Sequence, residues 1–355
     1  MFHKVLCRLI KSWRGGKIRR WIHLARLLPR FSAIYCQLVA IKRQCRRSGQ
    51  QLVGVALIEH FGDLVACEPV ARHLRAANPQ AFILWFVREP FQELFECNPN
   101  IDRLIIVGCL SEWMLVRKAG ILDRIFDLHA RGRKCPTCWF PLNKPEGDAN
   151  LDINNYYRYG SLLKVASMAS GLPDLSHLAP RVYLPERVKP NVDRLGLSEK
   201  FIVLHTRSNE EQRNWSSEKW EMLQKMIHQG LGIPTVEIGL EPSIPDGLIS
   251  HRNLCGHRGL VEIAEIIARA TAFVGIDSGP AHFANAVGTP GVVLLGKYRS
   301  FDRYLPYTGG YADGTLAELV YAHGPVSSLP VEHVYLALTK IIQRCSSGAM
   351  LHTCA

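Results

Sequence analysis

From residue 52 onward, short apolar runs alternate with segments in which apolar residues recur every three or four positions. The short runs predict buried strands, and the longer spacing predicts amphipathic helices. Strands are predicted at residues 52–58, 81–87, 104–107, 124–129, 201–206, 234–239, 272–277 and 291–296. Helices are predicted at residues 64–77, 91–97, 111–118, 155–169, 217–229, 260–270 and 279–287. This alternation predicts an α/β protein whose parallel strands are covered by helices on both faces.

The alternation is interrupted between residues 130 and 190. Residues 130–153 are rich in glycine, proline, cysteine and charge, and four prolines punctuate residues 173–190, which predicts a loop and then a linker. We therefore expect a basic extension at 1–50, an α/β half with its linker at 51–190, a second α/β half at 191–345, and a disordered tail at 346–355. Ligands of open α/β sheets bind beyond the carboxyl ends of the strands, so functional residues are expected just after strand ends.

The net charge of +12 is unevenly distributed along the 355 residues. Residues 1–50 contain 13 Lys and Arg and no Asp or Glu, whereas the other 305 residues contain 30 basic and 31 acidic side chains. The body is close to neutral, so the charge does not indicate a basic nucleic-acid-binding fold. No apolar run is long enough to span a membrane. Basic residues also interrupt the first apolar stretch, where a signal peptide would need continuity.

Residues 17–28 combine an apolar face that includes Trp21 with an opposite face that carries Arg19, Arg20 and Arg26. This pattern is typical of a helix that lies on an anionic membrane surface, where each basic residue contributes about 1 kcal/mol. Two alternatives remain open: a helix packed on the body of the protein, and an arm that binds nucleic acid. The membrane interpretation predicts a peripheral protein.

Eleven cysteines are scattered along the chain, and a chain of this size does not need disulfides to fold. The pattern predicts reduced thiols in a cytosolic compartment. Cys135 and Cys138 form one Cys-x-x-Cys pair, but a zinc site normally needs a second pair, and none follows at a suitable spacing. The sequence therefore predicts no metal site and no cofactor.

Asp63 is the first candidate for chemistry, because it follows the predicted strand 52–58 and begins the next helix. Gly62 before it permits a close approach of backbone and ligand. A carboxylate in this position either caps the helix or, if it projects into a cleft, acts as a general base on a hydroxyl.

The segment Asp277-Ser278-Gly279-Pro280-Ala281-His282 is the second candidate, since it joins a predicted strand to a predicted helix. Proline is tolerated in the first helical turn, where its missing N–H has no partner to lose. The unpaired N–H groups and the dipole of such a helix start favour a phosphate. Ser278 adds a hydroxyl, and His282 lies in the first turn. The segment predicts an anion-binding site.

Two further strand ends carry weaker signals. Thr206 and Arg207 end the strand 201–206 and are followed by Arg213, a combination that suits a diphosphate because arginine keeps its charge and offers several donors. Glu241 follows the strand 234–239 and could bind a ribose or a base edge. Neither a Gly-x-Gly-x-x-Gly turn after the first strand nor a P-loop is present, which disfavours nicotinamide and ATPase chemistry.

The chain resembles glycosyltransferase family 9, the ADP-heptose:lipopolysaccharide heptosyltransferases and their relatives. Four stretches between about residues 52 and 296 carry the resemblance: FGDLVACEPVARHLRAANPQAFILWFV, NPNIDRLIIV, FIVLHTRSNEEQRNWSSEKWEML and LVEIAEIIARATAFVGIDSGPAHFANAVGTPGVVLLG. The resemblance implies the GT-B fold, in which two Rossmann-like domains face each other across a cleft. It also implies inverting, metal-independent sugar transfer, with the acceptor on the first half and the nucleotide sugar on the second.

The resemblance assigns Asp63 as the base that deprotonates the acceptor hydroxyl. Thr206, Arg207 and Arg213 would line the diphosphate, with Glu241 nearby. Asp277, Ser278, Gly279, Pro280 and His282 would hold the sugar and the phosphates.

These residues lead us to expect a peripheral enzyme on the cytoplasmic face of the inner membrane. It would transfer a sugar, such as a heptose, from a nucleotide diphosphate sugar to a lipopolysaccharide or other lipid-linked glycan hydroxyl. Two alternatives are a sugar-nucleotide-binding scaffold without activity, and a nucleic-acid-binding protein that uses the basic arm.

Overall fold

The computed structural model describes residues 25, 27–256, 258–297, 301 and 304–346. Its first half contains a sheet of four parallel strands in the order β3-β2-β1-β4. These strands are β1 (Leu52–Ala56), β2 (Phe82–Val87), β3 (Arg103–Ile106) and β4 (Arg124–Asp127).

Helices cover both faces of this sheet. They are α1 (residues 27–48), α2 (Phe61–Ala66), α3 (Pro69–Ala77), α4 (Leu110–Lys118) and α5 (Leu162–Ser170). Successive residues of a strand point to opposite faces. Along β2, Ile83 and Trp85 therefore pack with α2, α3 and α5, whereas Leu84 and Phe86 pack with α1 and α4.

The second half contains a sheet of six parallel strands in the order β10-β9-β8-β5-β6-β7. They are β5 (Ile202–His205), β6 (Thr235–Ile238), β7 (His251–Asn253), β8 (Ala272–Ile276), β9 (Gly291–Leu295) and β10 (Ala317–Tyr321). The helices of this half are α6 (Lys189–Asp193), α7 (Ser217–Leu231), α8 (Leu260–Arg269), α9 (Gly279–Val287) and α10 (Val331–Ser346). Helices α7 and α10 pack on one face, while α8 and α9 pack on the other, in an apolar core that continues into the first half.

All eight predicted strands are confirmed, with ends that shift by at most two residues. The sequence pattern did not predict β7, β10 or α10. Strand β7 has only three residues and no buried one, so it carries no apolar run. Helix α10 lies beyond the last strand that was read, although its buried residues recur at helical spacing.

Three predicted helices differ from the structure. The helix predicted at 64–77 is two helices, because Pro69 cannot donate a backbone hydrogen bond and starts a new helix as its first residue. The segment predicted at 91–97 is a 3-10 turn at Glu89–Leu94. The helix predicted at 155–169 begins only at Leu162, since Gly160 adopts a φ of 118° that no helix allows.

Helix α1 shows what part of the N-terminal extension does. Leu27, Ile34 and Leu38 are buried against the first sheet, whereas Leu28 is 62% exposed. The packed-helix alternative is therefore correct for residues 27–48. The amphipathic segment predicted at 17–28 lies almost entirely outside the described residues, as does nearly all of the predicted tail. Within the described part of the chain, no helix has the length and apolar character needed to cross a membrane.

Candidate active site

A cavity of about 830 Å³ lies between the carboxyl edges of the two sheets. This is the edge where open α/β sheets bind ligands, and the volume falls in the range of small-molecule sites. The first half contributes residues that include Asp63, His129 and Arg133, and the second half contributes residues that include Arg213 and Asp277. A ligand in the cavity would therefore touch both halves.

Two glycines allow the halves to approach each other at the floor of this cavity. A Cβ atom on Gly62 would lie 3.1 Å from the Cα of Gly279, and a Cβ atom on Gly279 would lie within 2 Å of the Phe61 ring. The Phe61 ring also stacks on Phe283, with centroids 5.2 Å apart. The starts of α2 and α9 are thus in direct contact, which places the two predicted strand-end motifs side by side.

Asp63 lies in the first turn of α2 and is half-buried at the cavity wall. The turn into α2 passes through His60, whose φ of 62° is uncommon for a residue other than glycine and is found most often at functional sites. No described residue donates a hydrogen bond to the Asp63 carboxylate. Its oxygens therefore remain available to a ligand, as a general base requires.

Asp277 is held very differently. It is buried at the end of β8, and its two carboxylate oxygens accept hydrogen bonds of 2.7 Å from the hydroxyls of Tyr304 and Tyr307. The guanidinium of Arg213 lies 3.4 Å from the carboxylate and donates a 2.9 Å hydrogen bond to the Asp277 carbonyl. Asp277 lines the cavity, but its carboxylate is occupied by protein groups, so it positions Arg213 and the tyrosines.

The start of α9 presents polar groups to the cavity, as the sequence predicts. Ser278 precedes the helix in an extended conformation, and its hydroxyl donates to the Ile276 carbonyl instead of capping the helix. Gly279 and Pro280 form the first turn and line the cavity together with Ser278. The N–H groups at this helix start and its dipole favour an anion.

His282 lies one turn into α9 and is buried. Burial lowers the pKa of its imidazole, because the charged form loses hydration, although the charges of Asp277 and Asp63 act in the opposite direction. Its ring lies 4.7 Å from the Tyr307 ring, and its Nδ1 has no hydrogen-bond partner among the described residues. His282 is thus a neutral side chain with a polar atom to offer.

Of the other residues predicted to contact the donor, only some lie in the cavity. Arg207 and Glu241 line the cavity and form a 3.1 Å ion pair in which both side chains are largely exposed. Thr206 does not line the cavity, so the structure does not bring it together with the other predicted donor residues. Its buried hydroxyl donates a 2.7 Å hydrogen bond to Glu237.

Glu237 was missed by sequence reasoning. Burial raises the pKa of its carboxyl, but the His251 imidazole 3.6 Å away and hydrogen bonds from Thr206 and from the backbone N–H groups of Ser243 and Ile244 outweigh this effect and lower the pKa. This buried carboxylate fixes the loop that follows β6. Its only sequence signal is a charged residue inside an apolar strand.

The cavity is also lined by residues of the first half that no sequence motif indicates, among them His129 and Arg133. His129 Nδ1 lies 2.7 Å from an oxygen of Asp127, and its Nε2 accepts a hydrogen bond from the backbone N–H of Ile58. Burial lowers the pKa of His129 despite the nearby carboxylate. His129 is therefore a neutral residue that ties β4 to β1, and Arg133 is the cationic group on this side.

Comparisons with known proteins show which family and which fold this chain resembles. Residues 178–308 match the model of glycosyltransferase family 9 (heptosyltransferase). The chain is 25% identical to lipopolysaccharide heptosyltransferase 3 of Escherichia coli over 283 residues, which cover 66% of this chain and 80% of that protein.

Two solved structures share the fold. The glycosyl transferase family 9 protein of Veillonella parvula superposes with a TM-score of 0.65 at 19% identity, over 82% of this chain and 97% of the other. The E. coli ADP-heptose lipopolysaccharide heptosyltransferase II superposes with a TM-score of 0.60 at 18% identity, over 84% of this chain and all of the other. The family match over residues 178–308, the curated relative and the shared two-sheet architecture lead to one conclusion: this chain is a glycosyltransferase of the GT-B fold that is similar to glycosyltransferase family 9.

Proposed function

We propose that the protein transfers a sugar, with inversion, from a nucleotide diphosphate sugar to a hydroxyl of lipopolysaccharide or another lipid-linked glycan. One observation carries the proposal: the Asp63 carboxylate, which no described residue engages, lines the same cavity as Arg213 and the start of α9. A candidate base and anion-binding groups in one cavity suit the displacement of a diphosphate by a hydroxyl.

On the acceptor side, Asp63 takes the proton of the acceptor hydroxyl as its oxygen attacks the anomeric carbon. The new bond joins that oxygen to the anomeric carbon, and the bond from this carbon to the diphosphate oxygen breaks. The diphosphate leaves with the bonding electron pair. Because the attack comes from the face opposite the leaving group, the configuration inverts. General-base assistance of this kind contributes about 10²- to 10⁴-fold to a rate.

On the donor side, the protein itself supplies groups that stabilise the departing diphosphate. Arg213 is held in place by Asp277, and the exposed Arg207 can leave its pairing with Glu241 at little cost. The start of α9 adds N–H donors and its dipole, and His282 adds a neutral polar atom. These groups are arranged before the reaction begins, so they stabilise charge without reorganisation, and we propose metal-independent transfer on this basis.

The relatives support a heptose donor. The curated relative and one structural neighbour are lipopolysaccharide heptosyltransferases, and the neighbour is described as an ADP-heptose enzyme. We therefore include ADP-heptose as the first candidate donor and a lipopolysaccharide precursor as the first candidate acceptor.

A lipid-linked acceptor lies in a membrane, and a basic extension that binds the membrane would keep the enzyme near it. The outward side of α1 exposes Arg43, Arg46 and Arg47, which add to the positive charge of the preceding residues. We propose that residues 1–50 hold the enzyme on the anionic cytoplasmic face of the inner membrane. Helix α1 packs on the first sheet, so deleting it would disturb the fold. The test therefore removes residues 1–26 and leaves 27–48 intact.

Liposome sedimentation measures this anchoring. Binding to anionic vesicles that weakens with salt and is lost on deletion of 1–26 supports the anchor, while unchanged partitioning refutes it. Binding to duplex DNA but not to vesicles would instead favour the nucleic-acid alternative.

The test of the transfer reaction starts with ADP-, UDP-, GDP- and dTDP-sugars and thermal unfolding of the purified protein. A selective rise in Tm identifies the nucleotide, since a ligand stabilises the state that it binds. Transfer to a lipid-linked acceptor is then compared between the wild type and Asp63→Asn. Donor binding without transfer in the wild type, under conditions where the acceptor is bound, would favour the inactive scaffold.

A further inference from the structure

Three cysteine thiols from separate parts of the first half meet in its interior. Cys109 lies just before α4, and Cys135 and Cys138 lie in the loop after β4. All three are at most 3% exposed, and their sulfur atoms lie within 4.8 Å of one another. The Sγ atoms of Cys109 and Cys138 are 4.0 Å apart, twice the length of a disulfide bond. A tetrahedral zinc ion with Zn–S bonds of about 2.3 Å holds its sulfurs about 3.8 Å apart.

The loop that carries Cys135 and Cys138 is folded back on itself around their sulfurs. The backbone N–H of Cys135 donates to the Phe140 carbonyl, and that of Trp139 donates to the Cys135 carbonyl. The N–H of Cys138 points at the Cys135 sulfur, at 3.5 Å. Backbone N–H groups directed at a sulfur stabilise its thiolate form, which is the form that binds metal.

This turn includes backbone strain that packing does not explain. Trp139 has a φ of 63°, yet its side chain is 61% exposed, and the next residue, Phe140, is 42% exposed. Two large aromatic side chains at the surface gain little from the turn. What the strained turn does achieve is the close placement of the Cys135 and Cys138 sulfurs.

The start of α4 completes the surroundings of the cluster. The Ser111 hydroxyl is buried beside the thiols of Cys135 and Cys138, and it has no oxygen or nitrogen partner among the described residues. A soft cation would find three sulfur atoms and one hydroxyl oxygen here.

We propose that Cys109, Cys135 and Cys138 bind one zinc ion, with the Ser111 hydroxyl as the oxygen donor of the fourth position. Three sulfurs are the ligands that zinc prefers, and an oxygen completes a tetrahedral set. Zinc binding displaces the protons that remain on the thiols to solvent and needs no oxidant or reductant.

The site would fix the loop after β4 to α4. Arg133 lies two residues before Cys135 and lines the cavity, whereas none of the three cysteines does. The metal would therefore determine where this loop presents Arg133, without taking part in the transfer reaction. The inference does not rest on the proposed function, since the metal content can be measured on a protein with any activity.

The first experiment measures metal in the full chain, purified under reducing conditions, by inductively coupled plasma mass spectrometry. We expect about one zinc per chain. Cobalt(II) added to the metal-free protein should produce a thiolate-to-cobalt charge-transfer band. A wild-type protein that holds no zinc and binds neither added zinc nor cobalt would overturn the proposal.

Matched variants locate the metal. Cys109→Ser and Cys138→Ser should each lose it, whereas Cys97→Ser, which changes an exposed cysteine outside the cluster, should keep it. Ser111→Ala should retain three sulfurs and bind zinc about tenfold more weakly. If either cluster variant fails to fold, the cobalt band of the wild type and of Ser111→Ala still provides the test. Full zinc content in folded Cys109→Ser and Cys138→Ser would show that the metal is held elsewhere and would refute the site.

Discussion

Asp63 in the first half and Asp277 in the second are the same chemical group in comparable places, and the structure uses them in opposite ways. Each follows a central strand of its sheet and lies at the start of a helix that lines the cavity. The Asp277 carboxylate accepts two tyrosine hydrogen bonds and lies 3.4 Å from Arg213. The Asp63 carboxylate has no donor among the described residues.

The difference shows how a carboxylate's partners decide its role. A carboxylate that is fully hydrogen-bonded and paired is a poor proton acceptor, because binding a proton would cost those interactions. A carboxylate without partners can accept a proton from a ligand. We therefore expect Asp63 to act on the substrate and Asp277 to keep Arg213 and the two tyrosines in position. The following predictions test this division of roles.

Asp63→Asn should have the largest effect. We expect kcat for sugar transfer to fall roughly 10²- to 10⁴-fold, because the amide cannot take the acceptor proton. The affinity for the donor and the Tm should stay close to those of the wild type, since no described residue depends on this carboxylate. Transfer assays combined with donor titration measure both quantities. Turnover that survives the substitution would remove Asp63 as the base.

Asp277→Asn should instead destabilise the fold. An amide cannot balance the charge of Arg213 or accept both tyrosine hydrogen bonds, so we expect the free energy of unfolding to fall by about 3 kcal/mol. Donor affinity should weaken as well, because Arg213 loses its support. Urea unfolding measures the effect, with Asp174→Asn as the control, whose carboxylate is half-exposed. A loss of kcat with unchanged stability would contradict the division of roles.

His205 should make the second half sensitive to acid. Burial lowers the pKa of this imidazole to about 4, whereas an unfolded histidine has a pKa near 6.5. Its contribution to stability is therefore present above pH 6.5 and is lost as the pH falls towards 4, by about 3 kcal/mol in total. His205→Gln should flatten the dependence of the free energy of unfolding on pH in this window. His323→Gln, at an exposed position, should leave the dependence as steep as in the wild type.

Glu241→Gln should have the smallest effect. The ion pair between Arg207 and Glu241 is largely exposed, so its removal should change the free energy of unfolding by less than about 0.5 kcal/mol. The affinity for the donor should stay the same or increase slightly, since Arg207 is then free to bind the diphosphate. Calorimetric titration with the selected nucleotide sugar measures this. A loss of donor affinity greater than tenfold would mean that Glu241 itself contacts the donor.

Much of this site could be predicted because its main residues lie where strands end. Asp63, Arg213, Asp277 and His282 each follow a predicted strand, and parallel strands place their carboxyl ends along one edge. The glycines that bring α2 against α9 also stood out in the sequence. These are local signals, and a one-residue error in a strand end does not hide them.

Other parts could not be predicted, because they depend on residues far apart in the chain. Nothing near Asp277 indicates that Tyr304 and Tyr307 donate to its carboxylate. The position of Thr206 at a strand end favours a diphosphate contact, and nothing near it in the sequence indicates that its hydroxyl donates to Glu237 in another strand. The sequence offers no second pair of ligands at a suitable spacing from Cys135 and Cys138, whereas the fold places Cys109 beside them.

The sequence by itself determined the alternation of strands and helices, the division into two halves and the identity of the residues at the strand ends. These features follow from hydrophobic periodicity and from the backbone preferences of glycine and proline, which act over a few residues. The tertiary structure decided which carboxylates have partners, which side of α1 is buried and which thiols meet. Those outcomes depend on how the helices pack on each sheet, and packing joins side chains whose spacing in the chain carries no pattern.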